Sequence, residues 1–196
     1  MATFEAISAT GKTIERLLTA RFAADEAVSG LDVKAVLVRT EDFAVTTNQN
    51  SVLAQPPVLS VFLYRVEPNG TMRAAWSAVG SQDGQAHLPL DLHYLLTPWA
   101  ENAEHEHTIL GSALACIDTT PIATGPLLYP SAAWAPTEAV QLLLDEMSID
   151  NLARVFDSLQ SDFKLSVTLL ARVVRIDGGT RPVDPTTTVI LEEQAL

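Results

Sequence analysis

Residues 87–96 read HLPLDLHYLL, and this stretch decides the class of fold. Large apolar side chains occupy every second position from Leu88 to Leu96, whereas the intervening positions up to residue 93 are histidine, proline or aspartate. A period of two is typical of a strand that buries one face. Pro89 lacks a backbone donor, so we expect an edge position or a bulge near the start of this strand.

Further strand signals lie upstream of this stretch. Residues 58–66 are nearly all apolar and rich in β-branched and aromatic types, which predicts a central strand buried on both faces. The turn signal at residues 68–70 predicts a partner strand from Met72 to Val79. Residues 31–38 form another strand candidate, and the polar residues 40–57 predict a long loop.

Three segments show helical periodicity. Residues 3–24 carry apolar side chains at helical spacing, and Thr3 is the expected N-cap. Residues 101–117 form the second predicted helix. Residues 149–160 form the third, in which Ser148 is the expected cap and the apolar residues from Ile149 onward face inward.

The rest of the chain supplies shorter strands. Residues 140–144, 164–176 and 186–193 are strand candidates, and the proline-rich residues 121–137 are expected to be irregular. Hairpins mixed with crossovers indicate an α+β fold, in which a mixed sheet is flanked by about three helices. The length predicts one domain over residues 1–196.

Composition excludes several classes of function. Acidic residues outnumber basic ones by 24 to 12, and the resulting charge of −12 disfavours binding to nucleic acid or to an anionic membrane. The single cysteine cannot form an internal disulfide, which fits a reducing compartment. We expect neither a signal peptide nor a transmembrane helix.

The histidines suggest a metal site without establishing one. His87, Asp91 and His93 share one face of the predicted strand and have the side chains that ligate zinc, although a solvated strand face is the simpler interpretation. His105 and His107 lie two apart on a helix, and residues at that spacing do not share a face. The sequence therefore predicts no metal.

No motif for catalysis is present. The sequence lacks phosphate-binding loops, nucleophile elbows and zinc-protease motifs. Cys116 lies beside an apolar helical stripe and is expected to be a buried small side chain. Trp76, Trp99 and Trp134 are interpreted as core or interface residues, with a ligand pocket as the alternative. We predict that the chain is not an enzyme and binds no cofactor.

Four blocks carry a resemblance to a known family. They are LYRVEPN at residues 63–69, LPLDLHYLLT at 88–97, MSIDNLARVF at 147–156 and LSVTLLARVVRID at 165–177. In this order they resemble the cap or tail-terminator proteins of phage-tail-like contractile injection systems, such as antifeeding-prophage-like and Photorhabdus virulence-cassette-like particles. The second block is the most specific of the four.

The resemblance implies a fold, a role and partners. It implies a phage tail-terminator-like domain that assembles as a homo-hexameric ring on the last layer of the inner tube protein and contacts the terminal layer of the sheath protein. Such a cap ends tube growth and anchors the sheath. It would assemble in the cytoplasm as part of a particle that is released or stays inside the cell. Some members carry a C-terminal extension, whereas this sequence ends at Leu196.

Two segments are candidates for partner contact. We expect the terminal strand or arm, residues 186–196, to pair with an edge strand of the sheath, and the loop at residues 40–55 to contact the tube or to narrow its lumen. The alternatives are an ordinary edge strand and a solvated loop. The candidate partner-binding residues are Thr188, Val189, Ile190, Leu191, Thr46, Thr47, Asn48, Gln49 and Asn50.

Two other functions remain open at this point. One is a baseplate or effector-docking adaptor of the same machine. The other is a small-molecule-binding domain with a site on the strand that carries His87 and His93. Neither has a sequence motif behind it.

Overall fold

The computed structural model describes residues 3–44, 51–76, 87–132 and 134–177. Within them the strands are β1 Lys34–Val38, β2 Val58–Pro68, β3 His87–Trp99, β4 Ile122–Thr124, β5 Ala139–Asp145 and β6 Val167–Asp177. The helices are α1 Ala6–Ala24, α2 Glu26–Ser29, α3 Gly70–Trp76, α4 Ala103–Thr119 and α5 Ile149–Ser158.

These strands form one mixed sheet in the order β1-β2-β3-β6-β5-β4. The β1 strand is parallel to β2, and every other neighbouring pair is antiparallel. The sheet and its helices confirm the predicted α+β class. The helices predicted near residues 3–24, 101–117 and 149–160 are present as α1, α4 and α5, accompanied by the shorter α2 and α3.

The β3 strand confirms the alternation that predicted it. Its even-numbered residues from Leu90 to Leu96 are buried against α1 and α4. Pro89 lies in an interior strand, so the expected edge position is wrong, but the expected bulge is present because the pairing with β6 shifts between Leu90 and Leu92. The Pro89 carbonyl still accepts a hydrogen bond from the Asn69 N–H at 2.9 Å.

The first face of the sheet is covered by α1 and α4. Ile14, Leu18 and Phe22 form the buried stripe of α1. At Gly11 the helix approaches the sheet closely, because an added Cβ would lie 3.0 Å from the Leu37 Cδ2 atom. The main hydrophobic core therefore lies between these two helices and the sheet.

Within the described ranges, elements cover the second face at one end only. There α5 and the turns around residues 40–43 and 52–54 bury a second apolar cluster. Its members are Val38, Phe43, Leu53, Val58, Leu95, Trp99, Phe156 and Leu159. The edge of the Phe43 ring meets both Phe62 and Trp99, with centroids 5.1 and 6.0 Å away. This aromatic packing fixes one end of the second face.

Ser60 ties β2 to β3 beneath this cluster. Its buried hydroxyl donates to the Thr97 carbonyl at 3.1 Å and accepts from the Trp99 indole N–H at 3.0 Å. We expect Ser60→Ala to lower the free energy of unfolding by about 1–3 kcal/mol, because the buried indole donor loses its acceptor. Urea unfolding measures the change. Ser158→Ala, on the exposed side of α5, should stay within about 0.5 kcal/mol of wild type, and equal losses for both variants would contradict the argument.

The strand predicted from Met72 to Val79 is wrong, since Gly70–Trp76 forms helix α3. Asn69 explains the difference. Its side-chain oxygen accepts from the Met72 N–H at 3.0 Å, while its amide donates to the Asp91 carboxylate. The polar residue of the turn signal therefore starts a helix instead of a hairpin.

Smaller corrections concern element ends. Helix α1 begins at Ala6 with Glu5 in the cap position, so Thr3 is not its N-cap. The β2 strand is buried from Val58 to Val61, but its far half becomes exposed and is not covered on both faces. The proline-rich residues 121–137 contain the three-residue strand β4, because pairing with β5 compensates for weak local propensity.

Candidate partner-binding surfaces

The part of the second sheet face that no described element covers carries a network of polar contacts. His93 lies between two carboxylates, with Nε2 3.2 Å from Glu67 and Nδ1 3.2 Å from Asp145. Glu67 also pairs with Arg65. Burial, followed by the Asp145 charge, raises the pKa of Tyr64 to about 12, so its hydroxyl stays neutral at physiological pH. These contacts join β2, β3 and β5 across the face.

The three residues considered as metal ligands each have a separate protein partner. His87 Nδ1 lies 2.5 Å from Asp177, and Asp91 accepts from Asn69 at 3.0 and 3.1 Å. Across residues 3–44, 51–76, 87–132 and 134–177, no group of three or more His, Cys, Asp or Glu side chains is placed to hold a metal ion. The geometry therefore favours cross-strand pairing as the role of these side chains.

The other residues singled out in the sequence also lie apart. His105 interacts with Asn102, the cap residue of α4. Cys116 is buried as predicted, and that burial raises the pKa of its thiol despite the opposing charge of Arg21. Trp99 belongs to the second cluster, whereas Trp134 packs at the margin of the main core and donates to the Tyr129 carbonyl at 2.7 Å. Trp99 and Trp134 therefore do not line a common pocket.

The candidate partner-binding residues all lie outside the described residues. They are Thr46, Thr47, Asn48, Gln49, Asn50, Thr188, Val189, Ile190 and Leu191. Their roles stay predictions. The structure does define the chain on either side of the first group, because Phe43 and Leu53 are both anchored in the second cluster.

A pocket of about 420 Å³ opens where β4, β5 and β6 lie side by side. Ile122 and Trp134 form apolar parts of its wall, and the side chain of Ile122 is 47% exposed. Arg172 and Arg175 come from the neighbouring β6 strand. We call this site the β4–β6 pocket.

Two arginines of the β4–β6 pocket differ in their partners. Arg175 lies 3.1 Å from Glu138 and 2.8 Å from Asp177, so two carboxylates balance its charge. Arg172 has a buried Nε without a hydrogen-bond partner. Its guanidinium is a cation directed at a partly apolar pocket.

A second exposed surface lies at the start of α5. Ser148 caps the helix by accepting from the Asn151 N–H at 3.3 Å, and this fixes the direction in which the helix begins. Ile149 is 71% exposed beside the exposed Asp150. The prediction that Ile149 faces inward is wrong, because this first helical residue is not part of the second cluster, which α5 reaches through Phe156. We call Ile149 and Asp150 the α5 corner.

Sequence reasoning missed both the pocket and the α5 corner. One signal was available, since Arg172 interrupts an apolar run from Leu169 to Val174. An arginine at such a position needs a carboxylate or an opening to solvent. The run alone does not reveal that Ile122 and Trp134 complete the pocket.

None of the helices in the described parts of the chain has the length and apolar character needed to span a bilayer.

Comparison with known proteins gives a family and a fold. The sequence profile of the Pvc16 N-terminal domain matches residues 9–188. No curated protein matches the sequence significantly.

Two solved structures share the fold. One is the sheath/tube terminator of the PVC extracellular contractile injection system in its extended state, with 14% identity and a TM-score of 0.53 over 85% of this chain and 56% of that chain. The other is the tube-terminating cap of the anti-feeding prophage, with 17% identity and a TM-score of 0.51 over 89% of this chain and 59% of that chain. This chain thus spans somewhat more than half of either chain.

Proposed function

Because the chain belongs to the Pvc16 N-terminal domain family, we propose that it is a structural cap of a contractile injection system. The family match over residues 9–188 is the observation that carries this proposal, and it confirms the family indicated by the four sequence blocks. The shared fold with a sheath/tube terminator and with a tube-terminating cap supports the same role.

In this role the chain closes the end of the inner tube as a ring of six copies and contacts the last layer of the sheath. A closed ring requires two different surfaces on each copy, because each subunit contacts its neighbours head to tail. The α5 corner and the β4–β6 pocket are two such surfaces of different chemistry.

The loop that contains Thr46 to Asn50 is proposed to contact the tube. Its base supports this role, because Ser51 is buried and its hydroxyl donates to the Asp42 carbonyl at 2.6 Å while accepting from the Leu53 N–H at 3.2 Å. Both sides of the loop are thus held by the second cluster. A firm base presents a binding segment at a defined place on the surface.

The terminal residues 186–196 are proposed to pair with the sheath. The chain reaches them through β6, whose last residue Asp177 is held by His87 and Arg175. Backbone pairing with an edge strand would give affinity without a dedicated pocket. The proposed role is structural, which the family match and the shared fold with a terminator and a cap support.

Cryo-electron microscopy of purified particles tests the proposed function. We expect six copies of the chain over the last tube layer, at the end distant from the baseplate, with residues 46–50 against the tube. Particles assembled in cells from which the gene for this chain has been deleted should carry tubes of irregular length, because growth of the inner tube is no longer stopped. Finding the chain only at the baseplate would reject the cap and favour the adaptor.

A further inference from the structure

Arg172 differs from the other basic side chains that the structure describes. Most of these are bound to carboxylates or carbonyl groups of the chain, for example Lys164 to Glu106 at 3.0 Å and Arg16 to the Leu127 carbonyl at 2.6 Å. The remaining ones are the exposed Lys34, Arg73 and Arg154. Arg172 and Arg175 are both half-buried and each has a buried Nε, but Arg175 is held in ion pairs with Glu138 and Asp177. Among the described basic residues, Arg172 alone combines a buried nitrogen that lacks an acceptor with the lack of an ion pair to a described residue. A buried guanidinium of this kind is satisfied by a carboxylate.

The surroundings of Arg172 define the ligand further. The carboxylate among the residues that line the β4–β6 pocket is Glu138, which lies 3.1 Å from Arg175 and accepts from the Ala135 N–H. Ile122 and Trp134 add an apolar wall. The pocket therefore fits an acidic side chain that is accompanied by an aliphatic one.

The α5 corner supplies that combination. Asp150 is exposed and has no ion pair with any residue that the structure describes, and the adjacent Ile149 is among the most exposed apolar side chains. Because Asp150 lies in the first turn of α5, the helix dipole favours its negative charge. The corner thus presents a carboxylate and an aliphatic side chain together.

The corner of one copy does not occupy its own pocket. Neither Ile149 nor Asp150 is among the described residues that line the pocket. Arg172 lies beside Gln141 of β5, and the chain leaves this strand at Asp145, four residues further on, before it enters α5. A strand rises by about 3.3 Å per residue, so about 13 Å of strand separate Arg172 from that end. The pocket of one copy is therefore open to the corner of another.

We propose that the β4–β6 pocket binds the α5 corner of a neighbouring copy, with Asp150 paired to Arg172 and Ile149 packed against Ile122. This proposal rests on the proposed ring function and identifies the residues that join neighbouring copies in the ring. It is head-to-tail, as a cyclic ring requires. Because each copy carries a formal charge of −12, association of copies needs a local cation that receives an anion, and Arg172 provides it.

Charge reversal tests the contact on the purified full-length chain. Arg172→Glu and Asp150→Arg place like charges in the contact, so each variant alone should associate at least about tenfold more weakly than wild type in sedimentation velocity. A mixture of the two variants restores opposite charges at every contact. The mixture should therefore assemble in a 1:1 ratio and form only even-numbered oligomers, which native mass spectrometry resolves.

Matched variants separate the contact from general charge effects. Lys34→Glu and Asp157→Arg change exposed charges in the same directions and should leave association unchanged. Thermal unfolding checks that each variant is folded, and Arg172→Gln with Asp150→Asn repeats the test without like-charge repulsion. Unchanged association of the Arg172 and Asp150 variants, a mixture that stays unassembled, or a wild-type chain that is monomeric at its highest soluble concentration would each overturn the proposal.

Imaging of particles distinguishes this proposal from the cap function. If wild-type chains are absent from the particle end, the cap function fails. If they form a ring there and Arg172→Glu chains form the same ring, only the proposed contact fails. If Arg172→Glu chains form no ring, and the ring returns when Asp150→Arg chains are supplied as well, the result supports both the cap function and the proposed contact.

Discussion

Phe156→Ala is expected to lower the free energy of unfolding by about 3–5 kcal/mol, the largest effect on stability that we predict for a single substitution. The Phe156 side chain is 1% exposed and holds α5 against the second cluster beside Leu95 and Trp99. Its ring also meets Phe163, with the centroids 5.6 Å apart. The alanine variant removes this packing and leaves a cavity at the end of the second face that the described elements cover.

Urea unfolding of the purified chain measures this loss, with Asp157→Ala as its control. Asp157 is the next residue of the same helix and is exposed, so its substitution should change stability by no more than about 0.5 kcal/mol. A loss below about 1 kcal/mol for Phe156→Ala would mean that α5 is not held by this cluster. It would also weaken the proposed ring contact, because the position of the α5 corner depends on the same packing.

The strands with a strong pattern were predictable from sequence. The alternation in β3 identified its buried face correctly, because a period of two has one interpretation when one side is apolar. The capping residue Ser148 also marked the start of α5 correctly. The α3 helix was not predictable in this way, since a Pro-Asn-Gly segment starts either a hairpin or a helix. Asp91, which holds the Asn69 side chain, comes from another strand.

The candidate surfaces depend on tertiary pairing. Gln141 pairs with Ile122 on one side and with Arg172 on the other, and only this register brings the pocket wall beside the arginine. A sequence pattern does not specify which strands become neighbours. The same holds for His93, whose two carboxylates come from β2 and β5 and reach it only because β3 lies in the interior of the sheet.

Removal of residues 186–196 is expected to abolish attachment of the cap to the sheath while leaving the fold intact. Residues up to 177 supply a six-stranded sheet and two buried apolar clusters, and we expect this core to keep the truncated chain folded. Backbone pairing, by contrast, disappears completely with the strand that provides it. Co-purification of the truncated chain with sheath should therefore be lost, and its ring on the tube should remain.

Two further variants show which property of the segment matters. A chain in which residues 186–196 are replaced by a flexible glycine-serine segment of equal length should also fail to bind sheath, which excludes an effect of length alone. Val189→Pro removes one backbone donor in the middle of the proposed strand and should weaken attachment strongly, whereas Val189→Thr keeps the backbone pairing and should not. If the truncated chain unfolds at the temperature of assembly, the segment belongs to the chain's own fold, and sheath contact must be sought elsewhere on the cap. If it folds and still binds sheath, strand pairing by residues 186–193 is excluded.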